Sequence, residues 1–362
     1  MNTILQTILG GIAFAGAAIA YAQTLSPDLP SVPKQYPWDQ RPRKCFMPGD
    51  AAKFDPQCRL SNWPDYATSK GRVDRLFIEP DFDLVERAEK ELGFSKEKFV
   101  SGEYYFDAWY LSLQVMFRHQ TQLGGKNVKE WAARKGADGY VKLAESLVHY
   151  GEAWEARGRG FANTVAPEAW KLYYTKLAQA NQALDSASAS LKQTGPWHAL
   201  KLEIAFQNPD QEKERLALLE AAIVAWPDYT KIYQVPMRFA HPRWGGSFEL
   251  MDGIARFSME KTKAQRGAAY YALLYELAVR GESRFTLQDT KVDWSLMKQG
   301  FRDLETGGAA PQYIWRNFAR LACQMRDREE AQRLYVLFDK HKNPSQASEP
   351  TDSCRVFAMS KE

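Results

Sequence analysis

Two short stretches hold the residue types and spacings from which chemistry could be built. In "EAWEARGRG", Glu152 and Glu155 stand three residues apart, and on a helix they share one face, with Trp154 between them and Arg157 and Arg159 close behind. Carboxylates so placed could work as general acid and base on a glycan, and the arginines could hold a carboxylate or a phosphate. The same letters also describe an ordinary helix end. The helix would stop at Gly158, its basic residues would complement the C-terminal dipole, and Glu-to-Arg pairs would run along its side. In "HPRWGGS", Gly245 and Gly246 precede Ser247 and a helical run. Their amides could approach an anion at a helix N-terminus, with Arg243 adding charge. Alternatively the pair makes a tight connection, Ser247 caps the next helix, Glu249 suits its first turn, and Trp244 fills the gap between helix pairs.

Most established chemistries lack their signature. There is no G-x-x-x-x-G-K-[ST] and no H-E-x-x-H, and the five histidines, at 119, 149, 198, 241 and 341, are scattered. His241, before Pro242, reads as a turn residue rather than a base. No cysteine or histidine pair has zinc spacing, so neither a metal nor a cofactor is expected. A net charge of +4 is spread over 48 basic and 44 acidic residues without a basic block, which argues against a nucleic-acid partner.

The elements that must position these residues are helical. "ERLALLEAAIVAW" places Leu216, Leu219, Ile223 and Trp226 at steps of three and four, and "YIWRNFARLACQM" does so with Ile314, Phe318, Leu321, Ala322 and Met325. No segment alternates convincingly with period two, so the chain is expected to be all-α. Punctuation divides it into pairs: Pro196 opens a helix ending near "QNPDQ", a second runs to Trp226, and "WPDY" restarts the pattern at Pro227. The tetrapeptide also occurs at Trp63 to Tyr66, and Pro311 opens a final pair, 311–325 and 328–341, with Ala331, Leu334, Tyr335 and Phe338 inward. The spacing from Pro196 to Pro227 is roughly that of a tetratricopeptide unit of ~34 residues, which predicts a stack of antiparallel helix pairs, an α-solenoid.

The ends read differently. No charged side chain precedes Asp28, and an apolar stretch closes on the triplet Ala20-Tyr21-Ala22, the pattern of an export signal cleaved before Gln23. An uncleaved anchor is the alternative, since 4–22 approaches the ~20 residues that span a bilayer. Prolines at 27, 30, 33, 37, 42 and 48 then deny helix to an irregular segment. The expected organisation is a signal at 1–22, a Pro-rich segment at 23–61, a helical-repeat domain at 62–341 and a tail at 342–362. Four cysteines in an exported chain imply disulfides, and nearest-neighbour pairing would join Cys45 to Cys58 and Cys323 to Cys354.

The words "HYGEAWEARGRGFANTV", "HPRWGGS", "VDWSLMKQGFRDL" and "FARLACQMRD", in this order, resemble a bacterial family of unknown function with tetratricopeptide-like helices. The likeness runs from about residue 70 to about residue 340 and brings no assigned activity or catalytic residue. It implies a helical-repeat protein, and the export signal makes a periplasmic or secreted location the expectation. The function expected of such a stack is binding of a protein or peptide in the cell envelope, with no catalytic signature. The alternative is a carbohydrate- or peptidoglycan-active enzyme using Glu152 and Glu155.

Overall fold

The computed structural model describes residues 73, 76, 81–99, 103–136, 138–280, 282, 284–306, 312–341 and 353–360. The expected signal, the Pro-rich segment, Cys45, Cys58, Trp63 to Tyr66 and Pro311 lie outside these residues. Among the described residues the protein is all-helical apart from single bridge positions, Lys98 with Tyr104 and another at Phe161. None of these helices is long and apolar enough to cross a membrane. The described chain divides into two compact units, one ending at Glu214 and the other starting at Arg215.

In the first unit, α1 (Phe82–Ala88) is capped by the Asp81 carboxylate, which accepts from the amides of Asp83 and Leu84, and it passes directly into a π-helical turn, Glu89–Gly93. Helix α2 (Tyr105–Leu113) likewise runs into a π-helical turn, Gln114–Arg118. Then follow α3 (Thr121–Lys135), α4 (Tyr140–Arg157), α5 (Pro167–Asp185), the single turn α6 (Ala189–Lys192) and α7 (Gly195–Gln207). Helix α4 lies along α5 and also packs on α3 and the second π turn, while α7 touches α2 and α5. The rings of Trp109, Trp131 and Tyr140 meet edge to face at 5.7 to 6.2 Å in the core.

Helix α7 explains how polar groups reach the interior of this unit. Thr194 caps it and Pro196 sits in its first turn, as its sequence predicts. From Ala199 to Gln207 every residue is buried, so the helix is enclosed on all sides. Lys201, Glu203 and Gln207 therefore have no solvent face and must find partners inside.

The second unit comprises α8 (Arg215–Ala225), α9 (Thr230–Ala240), α10 (Phe248–Arg266), α11 (Ala269–Val279), α12 (Trp294–Thr306), α13 (Gln312–Gln324), α14 (Arg328–His341) and α15 (Ser353–Met359). From α9 to α12 each helix packs on the next, as do α13 and α14, and α15 lies on both of those. Of the inward positions foreseen on α13 and α14, Ile314, Phe318, Leu321 and Ala322 on one and Ala331, Leu334, Tyr335 and Phe338 on the other are buried, while Met325, one residue past α13, is half-buried. Phe301 of α12 stacks on Phe318 with ring centres 4.1 Å apart. The "RDRE" turn is closed by Asp327, whose carboxylate accepts from the Glu330 amide and from Trp294 Nε1. Cys323 and Cys354 form a disulfide, Cα to Cα 5.8 Å, that fastens α15 to α13.

One helix start differs from the expectation. Pro227 does not open a helix: Trp226 to Tyr229 form a turn in which the Tyr229 amide donates to the Trp226 carbonyl, and α9 begins at Thr230. The Tyr233 hydroxyl donates to the Pro227 carbonyl at 2.7 Å and fixes the turn outside the helix.

Candidate functional site

The Gly245-Gly246 pair lies in the second unit, between α9 and α10. A single 3-10 turn, Pro242–Trp244, follows α9, and Gly245 closes it with φ 89°, the left-handed region that favours glycine. A Cβ on Gly246 would sit 2.8 Å from Ala240 Cα and closer still to its carbonyl, so the backbone passes there only without a side chain. The amides an anion would need are already used. Trp244 and Gly246 donate to the His241 carbonyl at 2.9 and 3.2 Å, Gly245 donates to the Pro242 carbonyl at 3.1 Å, and the Arg243 amide donates to His241 Nδ1. Ser247 caps α10 by accepting from the Leu250 amide. Arg243 and His241 both face Glu282, at 3.8 and 3.7 Å, so the charge of Arg243 is answered inside the fold. Trp244 is half-buried with its ring 6.1 Å from that of Phe239. This stretch has the geometry of a tight connection.

"EAWEARGRG" lies in the first unit. Helix α4 ends at Arg157, and Gly158, at φ 70°, caps it with its amide on the carbonyls of Trp154 and Glu155. The expected Glu-to-Arg pairs are not formed: neither Arg157 nor Arg159 meets Glu152 or Glu155. Instead Glu152 accepts from Lys176 Nζ at 2.8 Å and lies 3.0 Å from His149 Nδ1, while Glu155 accepts from the Thr121 hydroxyl at 2.6 Å. The two carboxylates thus reach toward different helices, α5 and α3. Burial acts to raise the Glu152 carboxyl, but Lys176 and His149 outweigh it and hold it below the usual range. A general acid needs the opposite shift.

Arg157 has a different setting. It is 4% exposed, and Nη1 donates to the carbonyls of Gly158 and Gly160 at 3.2 and 3.0 Å. Its guanidinium lies 5.5 Å from the ring centre of Trp154 and 5.1 Å from that of Trp170, which α5 supplies. Nη2 is buried without a hydrogen-bond partner. Tyr173 stands edge-on to both indoles at 5.6 and 5.5 Å, and Tyr174 stacks on Trp170 at 5.7 Å. Beyond this cage the chain turns outward, with Arg159 exposed and Phe161 65% exposed.

A buried polar chain leads inward from the cage. The Tyr173 hydroxyl donates to Gln207 Oε1 at 2.6 Å, Gln207 Nε2 donates to the Tyr150 hydroxyl, and Tyr150 donates to Glu203 Oε1 at 2.9 Å. Arg118, brought in by the second π turn, pairs with the same oxygen at 3.2 Å and lies 4.6 Å from the Tyr150 ring centre. Tyr110 is enclosed beside them with its hydroxyl unpartnered, and burial together with the Glu203 charge pushes its pKa well above the usual value. Elsewhere in the unit a shallow depression of about 530 Å³ is lined by Glu86, Arg87, Glu89, Lys90, Phe94 and Lys135. Its deepest charges are internally paired, Lys135 with Glu89 and Arg87 with Glu91.

The structure thus gathers Trp154 and Arg157, leaves Arg159 on the surface, and places Arg243 to Ser247 in the other unit. Sequence reading missed Trp170, Tyr173, Gln207, Glu203 and Arg118. The spacing Trp170, Tyr173, Tyr174 in "PEAWKLYY" was the available signal, since steps of three and four turn one aromatic face toward α4. No protein-family model matches the chain, and neither do any curated protein or solved structure.

Proposed function

We propose that the chain is an exported, tetratricopeptide-like stack of antiparallel helix pairs that binds a protein or peptide segment in the cell envelope, at the corner where α4 gives way to α5. The repeat reading is supported by the packing of successive helices, α3 on α4, α4 on α5, α9 through α12 and α13 on α14, and by the family resemblance of its motifs. The observation that carries the binding reading is the composition of the corner. Phe161 is 65% exposed where the chain leaves α4, Trp154 and Trp170 are half-buried near the ends of α4 and α5 that this connection joins, and Arg159 and Glu168 are exposed, so aromatic surface is rimmed by charge.

A photo-reactive phenylalanine analogue placed at Phe161 in the native host tests this. The control carries it at Val224, which is 84% exposed in the other unit. A saturable cross-linked polypeptide at position 161, weakened by Trp170→Ala in a chain of unchanged helicity, is the expected result. Cross-linking at 161 no stronger than at 224 would overturn the reading.

A further inference from the structure

Arg157 lacks what the same unit supplies to its other inward cations. Arg118 faces Glu203, Lys135 faces Glu89 and Lys201 faces Asp185. No described carboxylate pairs with Arg157, although it is 4% exposed and its Nη2 meets no acceptor. Its partners are neutral: the carbonyls of Gly158 and Gly160, and two indole faces. Burial, working against the charged form, weakens its hold on its proton, as it does for a cation short of negative neighbours.

A second feature stands beside it. Helix α5, 19 residues long, begins one turn before Trp170, whose ring covers the guanidinium. Ala166 has no side chain with which to cap it, and Pro167 has no N–H. The amides of Glu168 and Ala169 therefore open the helix without a carbonyl one turn back, at the end where the dipole favours an anion. A buried guanidinium edge and, one turn before the indole that covers it, an uncapped helix start together suit an oxyanion. The walls around the guanidinium are the indoles of Trp154 and Trp170, with Tyr173 edge-on to both.

We propose that this corner holds the C-terminal carboxylate of a peptide ending in an apolar or aromatic residue, the carboxylate replacing the carbonyls of Gly158 and Gly160 on Arg157. The assignment rests on the peptide-binding reading above and names the group recognised. A planar guanidinium edge matches the two oxygens of a carboxylate. A hydrated phosphate dianion would need more donors than one guanidinium and two amides supply, and would gain nothing from the aromatic walls that a terminal side chain can use.

The test uses the full chain with N-acetylphenylalanine as the acid, N-acetylphenylalanine amide, and inorganic phosphate, with binding read by saturation-transfer NMR and calorimetry. The acid is expected to bind about tenfold tighter than the amide or better, the size of one charge-assisted hydrogen bond. Phosphate is expected not to displace it. Arg157→Gln should level acid and amide, Arg157→Lys should keep part of the preference, and Arg159→Gln should keep most of it. If Arg157→Gln does not fold, the acid-to-amide ratio on the unaltered protein and the Arg157→Lys comparison still decide. Equal binding of acid and amide, displacement of the acid by phosphate, or no binding of either would overturn the assignment. If cross-linking at position 161 persists in that case, the carboxylate assignment alone falls; if it is lost as well, the peptide-binding reading falls too.

Discussion

Gly246→Ala is the perturbation that most sharply separates a connection from an anion cradle. The added Cβ would meet only backbone, 2.8 Å from Ala240 Cα and nearer still to its carbonyl, so no side chain can swing away to relieve it. Relief requires moving the backbone at 246, which stretches the 3.2 Å bond from its amide to the His241 carbonyl and disturbs the Ser247 cap on Leu250. Overpacking of this kind costs about 1–3 kcal/mol and a weakened hydrogen bond about 1 more, so a loss of about 3 kcal/mol is expected. Gly245→Ala must adopt a left-handed conformation, at about 1–2 kcal/mol. Gly245→Asn, whose side chain tolerates that region, should cost less. Urea denaturation of the whole protein gives the order of the three variants, and hydrogen exchange of peptides covering 239–258 assigns the loss to this corner. A Gly246→Ala variant within about 0.5 kcal/mol of the parent, the range of an ordinary surface change, would refute the close-packing argument.

Other perturbations probe the remaining supports. Cys323→Ser opens a loop of 31 residues, and loop-closure entropy sets the expected loss at about 3.5 kcal/mol, measurable by comparing oxidised, reduced and substituted protein in urea. Glu203→Gln leaves Arg118 without its charge partner, for an expected loss of about 3 kcal/mol, and adding Arg118→Met should return part of it in a double-mutant cycle. His198 is pushed down by burial to about 4, so the folded protein resists protonating it while the unfolded chain takes a proton near 6.5. Stability carried by neutral His198 is therefore full above that value and falls as pH drops from 6.5 to 4; NMR titration should place its midpoint near 4, and His198→Asn should flatten that stretch of the stability profile. Asp327→Ala removes the cap of α14 and the acceptor of Trp294 and Lys298 together, so its cost should exceed the ~1 kcal/mol of a cap alone.

The helices were legible because their cores repeat at steps of three and four. Ala331, Leu334, Tyr335 and Phe338 announce the buried face of α14, and the structure seats all four inward. Local turn chemistry was legible too: Gly158, Gly245 and Ser247 act where glycine and serine are expected to act. Pro227 was misread because a proline suits a turn as well as a first helical residue, and here the Tyr229 to Trp226 bond and the Tyr233 hydroxyl make the turn. The polar chain was out of reach for another reason. Glu203 and Gln207 sit on a helix buried all round, so no amphipathic pattern marks them as inward, and their partners lie 34 to 57 residues away. The two π turns also escape sequence reading, and the second one delivers Arg118 to Glu203.

The contrast between Arg118 and Arg157 underlies the proposal of an external carboxylate at the α4–α5 corner. Arg118 lies against the ring of Tyr150, and Arg157 lies against the ring of Trp154, one turn further along α4. For Arg118 the fold provides Glu203, and it supports that carboxylate with the Tyr150 hydroxyl and the Gln207 amide behind it. The donors run one way, from Tyr173 through Gln207 and Tyr150 to Glu203, so the buried charge is compensated and the ring of Tyr173 is held fast between Trp154 and Trp170. The same chain of bonds that satisfies one arginine thus stiffens the walls around the other. Beside Arg157 the described chain places two indoles and two backbone carbonyls and no carboxylate, so its charge is balanced by neutral groups alone, and the proposed terminal carboxylate would supply what Glu203 supplies to Arg118.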